Sequence, residues 1–288
     1  MRFGIMFGNA GPLSGREPAM ALARLAEEHG FDSLWAAEHV AIPSTYESPY
    51  PYSDDGKMPG GDDVALGDPL VWLAFVAGIT SRVRLGTSVL ILPQRNPVVL
   101  AKELATIDLL SGGRVELGIG MGWLAEEFDA LGVPFTDRVA RAEEHVEVLR
   151  VLWRDDEATF AGRFTSFDRI HVHPKPVQAG GIPVVVGGNT RAAARRAGRL
   201  GNGFFPFLVT PEELVPRLEV MKAAAKDAGR DPDAIEVSVG GWWFDVDTAR
   251  RFEDLGVVRL AIPPLGFDPE ALERALADFA EQVMTPVG

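Results

Sequence analysis

The sequence predicts an α/β protein, a (β/α)8 TIM barrel, on two observations. Strand-like and helix-like segments alternate from end to end of the 288 residues, and no shift in composition marks a linker. Unbroken βα alternation demands parallel strands joined by right-handed crossovers. Eight such units close into a barrel, while the competing open doubly wound sheet more commonly uses about five or six strands. The chain is therefore read as one domain, 1–288.

The elements follow in order. RFGIMFG (2–8) is short and apolar, and EPAMALARLAEEH (17–29) is a helical pattern stopped by Gly30. SLWAA (33–37) is the second strand, followed by a long loop. Asp68-Pro69 opens a helix over 69–79, with Asp as cap and Pro at its first position. VRLGTSVLI (83–91) is a strand, NPVVLAKELATIDLLS (96–111) a helix ended by Gly112-Gly113, and RVELGIG (114–120) a strand. Helical patterns over 123–131 and 136–154 precede a two-stranded excursion at 158–167. IPVVVGG (182–188), GFFPF (203–207), IEVSVGG (235–241) and VVRLAIPP (257–264) are strands. Their helices run over 190–201, 211–229, 247–255 and 268–283.

Composition excludes several functions. A 47% hydrophobic chain can fill a core, yet no apolar run approaches the roughly 20 residues that span a bilayer. The start, MRFGIMFGNAGPLSG, reads as a first strand and not a signal peptide. Without cysteine there are no disulfides, thiolate metal sites or thiol nucleophiles, which fits a cytoplasmic protein. A net charge of -13 repels nucleic acid and anionic membrane, so neither is an expected partner. An anionic ligand would need local arginines or backbone N–H groups.

A barrel carries its chemistry at the C-terminal ends of its strands. Glu38 and His39 follow the second strand, and Thr87-Ser88-Val89 lies on the third. Gly120-Met121-Gly122-Trp123 follows the fourth, Gly187-Gly188-Asn189 the fifth, and Trp242-Trp243 the seventh. Both glycine turns can admit an anion to backbone N–H groups at a helix start, or can be tight packing. Arg191 and Arg195, one turn apart, could meet the same anion. His39 ends a strand, where an imidazole can move protons near neutral pH. His29 and His145 fall in helical patterns and read as structural. His171 and His173 have metal-like spacing without a carboxylate cluster, so no metal is expected. The loop 43–68 is too long for a plain connection and holds Tyr46, Tyr50 and Tyr52, all three tyrosines of the chain. It is read as a lid over the mouth, with Trp123, Trp242 and Trp243 giving a flat ligand apolar walls.

SLWAAEHV, LGTSVLILPQRNPVVLAKELATIDLLSGGRVELGIGMGW and IPVVVGGNTRAAARRAGRLGNGFF resemble the bacterial luciferase-like monooxygenase superfamily. They look most like its branch that uses the deazaflavin coenzyme F420. The resemblance covers about the first 210 residues and implies a usually homodimeric (β/α)8 barrel. It implies a cofactor ring across the mouth, above a strand 3 bulge that often holds a non-prolyl cis peptide, here Ser88-Val89. It places Glu38 and His39 beside the reactive edge of that ring, and the phosphate at Gly120-Met121-Gly122 and Gly187-Gly188-Asn189. The sugar-phosphate dehydrogenases of this branch carry an acid where this chain has Trp123, which argues for an apolar or aromatic substrate.

The combined expectation is an F420-dependent oxidoreductase passing hydride between deazaflavin C5 and a small organic substrate. His39 would act as acid or base, oriented by neighbours such as Glu38, or Glu38 would bond the ring. Ile5 and Phe7 of strand 1, Thr87 and the Ser88-Val89 bulge would seat the ring. Arg95, Arg191 and Arg195 are candidates for the anionic cofactor tail. Tyr46, Tyr50, Trp123, Trp242 and Trp243 would contact substrate. The alternatives are an FMN-dependent monooxygenase fed by a separate reductase, and a flavin-binding protein without turnover.

Overall fold

The computed structural model describes residues 1–61 and 63–288; Asp62, inside the expected lid, lies outside the described residues. Eight parallel strands form the barrel: β1 (Arg2–Ile5), β2 (Ser33–Ala36), β3 (Arg84–Thr87), β4 (Val115–Gly120), β5 (Val184–Gly187), β6 (Gly203–Phe205), β7 (Glu236–Gly240) and β8 (Val257–Ile262). Each pairs with its sequence neighbour, and β8 returns to β1 with Arg2 opposite Arg259, so the sheet closes. The helices are α1 (Arg16–Glu28), α2 (Pro69–Ala77), α3 (Pro97–Ser111), α4 (Ala125–Ala130), α5 (Arg138–Arg154), α6 (Arg191–Leu200), α7 (Pro211–Asp227), α8 (Val246–Asp254) and α9 (Pro269–Phe279). The excursion after α5 is an antiparallel hairpin, Ala158–Ala161 with Ser166–Ile170.

Capping chemistry sets the helix starts. Asp68 accepts from the N–H of Leu70 and Val71, and Asn96 from those of Val98 and Val99, each before a proline. Thr210 and Glu213 form a capping box on α7. Gly112 ends α3 at φ 71°, a left-handed conformation that suits glycine. None of the described helices is long and apolar enough to cross a membrane.

One expected strand is interrupted. The run 83–91 pairs as β3 up to Thr87, breaks at a cis Ser88-Val89 peptide, and resumes as Leu90–Ile91 against Ile119 and Gly120 of β4.

The barrel interior is layered. Trp35 fills its middle, and its indole N–H donates to Ser33 Oγ at 2.9 Å. A Cβ on Gly86 would stand 2.2 Å from that indole ring, so β3 needs glycine there. Below lies a buried charge cluster: Arg259 donates to Asp32 at 2.7 Å and to Glu116 at 2.9 and 3.1 Å, and Arg84 also bonds Glu116. Above, Met6, Val185, Phe205 and Ala261 continue the apolar cluster that Trp35 begins, with Phe7 and Phe207 against it. Strand alternation turns Ile5 outward into the layer beneath the helices and Met6 into the barrel interior, which corrects the expectation of Ile5 in the floor of the mouth.

Candidate active site

Three strand ends build the mouth. β2 runs out into Glu38 and His39, β3 into the bulge, and β4 into Gly122 and Trp123. Asn9 braces the first of these: its amide accepts from Ala37 N–H at 2.9 Å and donates to the carbonyls of Ala37 and Gly67. Buried Asn9 therefore ties β1, β2 and the end of the 43–68 loop together.

His39 is mostly buried, and its Nδ1 lies 2.9 Å from Glu127 Oε2 of α4. Its ring meets Trp123 edge to face at 5.7 Å. The partner of the imidazole is thus Glu127 and not Glu38, a correction. Glu38 accepts from Ile91 N–H on one oxygen and from the Arg95 guanidinium on the other, with Nε at 2.9 Å. Arg95 also bonds Asp68 at 2.7 Å. Burial pushes the Glu38 carboxyl upward while Arg95 opposes it. Burial pulls Arg95 down, but the Glu38 and Asp68 charges outweigh it and hold its pKa above the ordinary value. Glu38 is engaged in bracing the strand 3 exit, and Arg95 is committed to two carboxylates. Neither the catalytic role for Glu38 nor the tail contact for Arg95 fits that geometry.

The bulge presents Val89 to the centre of the mouth. A Cβ on Gly120 would lie 2.3 Å from Val89 Cγ2, and one on Gly187 2.5 Å from Cγ1. These two glycines therefore make room for Val89, as tight packing would require. Thr87 is buried, and its hydroxyl donates to Gly118 O at 2.7 Å. Ser88 is different: its Oγ is buried with no hydrogen-bond partner among the described residues. Gly122 (φ 78°) and Gly188 (φ 115°) hold left-handed turns before α4 and α6. Met121 is half-buried against the core. Asn189 spends its side chain on Phe207, accepting from its N–H at 2.8 Å and donating to its carbonyl. That side chain braces the β5 exit against the β6 exit.

Aromatic contacts run across the mouth. Trp123 meets Tyr46 at 5.5 Å and Tyr50 at 5.2 Å, Tyr50 meets Tyr52 at 5.5 Å, and Tyr52 meets Phe207 at 5.4 Å. Phe207 touches Trp242 at 5.4 Å and Phe7 at 5.9 Å, and Phe7 stacks on Trp242 at 6.1 Å. Phe7 takes φ 59°, rare for a bulky residue and a strain that clusters at functional sites. Burial raises the Tyr52 hydroxyl and pushes that of Tyr50 up to about 12. Trp243 leaves this belt: it packs edge-on against Phe279 of α9 and lines an outer cavity of about 510 Å³ with Leu208 and Phe244. Trp242 borders the same cavity, and of the two tryptophans it is the one that touches Phe7 and Phe207.

The loop is latched by α4. Glu126 accepts from the N–H of Glu47 at 2.7 Å and Ser48 at 3.2 Å, and Ser48 Oγ accepts from Ala125 N–H. Those bonds, led by Glu47, hold the Glu126 carboxyl at about 2. Glu127 binds Val40 N–H at 2.6 Å and Ala41 N–H at 3.2 Å. Burial alone would raise Glu127, but His39 and these donors bring it below the usual range. Neither glutamate was singled out from the sequence. Their position just after the β4 glycine turn was the available signal.

Arg191 and Arg195 are exposed at the start of α6, and neither pairs with a carboxylate among the described residues. Arg138 and Arg141 at the start of α5 are likewise without carboxylate partners there. Arg138 donates to Gly122 O at 3.2 Å, and Arg141 lies over Phe164. His171 and His173 stack on one another at 6.3 Å just after the hairpin, and the His173 carbonyl accepts from Lys102 of α3.

The profile of a family described as luciferase-like monooxygenase matches residues 1–253. An uncharacterised protein of Mycobacterium tuberculosis is 36% identical over 275 residues, 92% of this chain and 95% of its own. An F420-dependent glucose-6-phosphate dehydrogenase of Kineococcus radiotolerans is 34% identical over 239 residues, 80% of this chain and 64% of that protein. In overall shape the chain matches an F420-dependent secondary alcohol dehydrogenase, with TM-score 0.78, 19% identity, and coverage of 100% and 99% of the two chains.

Proposed function

Because the chain belongs to the luciferase-like monooxygenase family, we propose that it is an F420-dependent oxidoreductase acting on a small apolar or aromatic substrate. When bound, the deazaflavin supplies or takes up the hydride. The observation that carries this reading is the bulge. Val89 offers an apolar seat between two strand exits, and beside it Ser88 Oγ is a buried hydroxyl in need of a partner. A flat heterocycle with polar edges meets both needs.

Two further features favour a deazaflavin with a long anionic tail. Arg138, which bonds Gly122 O, and Arg191 and Arg195, which follow the Gly188 turn on α6, have no carboxylate partners among the described residues. In a chain of net charge -13 they leave a local cationic rim. The relative from Kineococcus radiotolerans is named for the same coenzyme. It spans more than this chain, and Trp123 with its tyrosine neighbours makes an aromatic wall suited to an apolar substrate better than to a sugar phosphate.

The protein's own residues then divide the work. His39 holds or moves the proton that accompanies hydride transfer. Trp123 and the lid tyrosines exclude water and orient the substrate. Glu38 and Arg95 brace the bulge. We also propose a homodimer formed through α2 and α3: α2 is apolar on every side, and Val71, Phe75, Val99 and Leu110 stand exposed on these two packed helices.

Fluorescence titration with F420 and, separately, with FMN tests the reading. Saturable F420 binding, weakened about tenfold or more by Ser88→Val with Arg191→Ala, is expected. Tight FMN binding with no response to F420 would replace it with the monooxygenase reading. F420 binding without turnover of any substrate, unaffected by His39→Ala, would leave a carrier.

A further inference from the structure

We propose that Glu127 is the positioning residue that decides which nitrogen of His39 exchanges the proton, and that it ties this choice to the seated lid. The inference rests on the reading of His39 as the proton-transfer group.

Glu127 is fully buried and collects three donors: His39 Nδ1 at 2.9 Å, Val40 N–H at 2.6 Å and Ala41 N–H at 3.2 Å. A carboxylate with that many donors remains charged despite burial. Being ionised, it can only accept, so Nδ1 carries the hydrogen and the neutral ring presents its lone pair at Nε2. Trp123, edge to face on the same ring, limits its rotation. A proton taken from the substrate therefore arrives at Nε2, and the resulting imidazolium lies against the Glu127 charge. In the reverse direction the same nitrogen gives it back. Glu38, although adjacent in sequence, has both oxygens occupied by Ile91 and Arg95.

The same carboxylate binds the first two backbone N–H groups after His39, where the chain enters the lid, and Glu126 beside it binds Glu47 and Ser48. The imidazole and the lid are thus referenced to one short helix. When the lid segment leaves α4, the base loses the scaffold that fixes its tautomer.

A plain loop brace would make the same two backbone bonds, so the test must separate shape from charge. Glu127→Gln keeps the shape, and its carbonyl oxygen can still accept from Val40 and Ala41. Its NH2 would face Nδ1 and favour the tautomer with hydrogen on Nε2, the logic by which an amide in place of a catalytic carboxylate inverts an imidazole. Histidine-selective ¹⁵N NMR of the free protein at pH 8 reads this directly. Wild type should show His39 with a protonated Nδ1 and a bare Nε2, and Glu127→Gln the reverse. With F420 and substrate, the variant should lose about 10²-fold or more in kcat while cofactor Kd changes less than about threefold. Glu127→Asp, which keeps the charge, should retain the wild-type tautomer. A wild-type His39 protonated at Nε2, or identical spectra for wild type and Glu127→Gln, would overturn the proposal. The wild-type spectrum alone suffices if the glutamine variant does not fold. Because the tautomer is read without ligand, its failure is distinct from a failure of the F420 reading, which the titration detects.

Discussion

Val89 shows how one side chain can change the meaning of a motif. Gly120 and Gly187 looked like an anion cradle, yet a methyl on either would collide with a Val89 methyl at 2.3 or 2.5 Å. Gly120→Ala should therefore destabilise the protein by about 1–3 kcal/mol, the usual cost of overpacking. Val89→Ala in the same chain should recover much of that loss, because contacting sites are not additive. Chemical denaturation of the two single variants and the double variant measures it; strictly additive losses would deny the contact. His39 was legible from position alone, since a strand that ends in apolar Ala36 and Ala37 delivers its next residues to the rim. Its partner was not. Glu127 is 88 residues away and Arg95 is 57 residues from Glu38, so adjacency in sequence suggested the wrong pair. The brace made by the Asn189 side chain was hidden for a similar reason: its partner Phe207, on the β6 exit, lies 18 residues on.

Among the elements, the lid and α4 act as a pair. Glu126 is held at about 2, below the ordinary carboxyl value of 4.5. A depressed folded-state pKa means that the latch is fully engaged above the ordinary value and is lost as pH falls through the 4.5 to 2 window. Hydrogen exchange should thus find the Glu47 and Ser48 amides protected at pH 7, with protection declining only below about pH 4.5. Glu126→Ala should abolish that protection at every pH, and retained protection in the variant would sever the lid from α4. The lid itself was visible as a 43–68 loop too long to be a connection and crowded with tyrosines. The latch was not visible, because it joins backbone N–H groups to glutamates about 80 residues later. The β3 interruption at Ser88-Val89 was legible only through the family resemblance, because the periodicity of an apolar run such as VRLGTSVLI does not reveal a bulge in its middle.

For the whole molecule, barrel closure follows from eight βα units, and the alternation that predicted them survives in every strand and in all the major helices with end shifts of a few residues. The buried cluster of Arg259, Glu116 and Asp32 lay beyond sequence reasoning, because only closure brings β8, β4 and the start of β2 together. Association is the next level. If α2 and α3 bury their apolar face against a second copy, Val71→Glu with Phe75→Glu should convert a dimer to a monomer in sedimentation velocity. An unchanged sedimentation coefficient would remove that face from the interface.

All of these levels converge on the claim that a planar cofactor sits on the β3 bulge with His39 at its edge. The most direct measurement is a crystal structure of the F420 complex. The ring should lie against Val89, with Ser88 Oγ hydrogen-bonded to it and His39 Nε2 facing the space beside the reactive carbon. A ring bound elsewhere, or His39 turned from it while Ser88 Oγ still lacks a partner, would contradict the account.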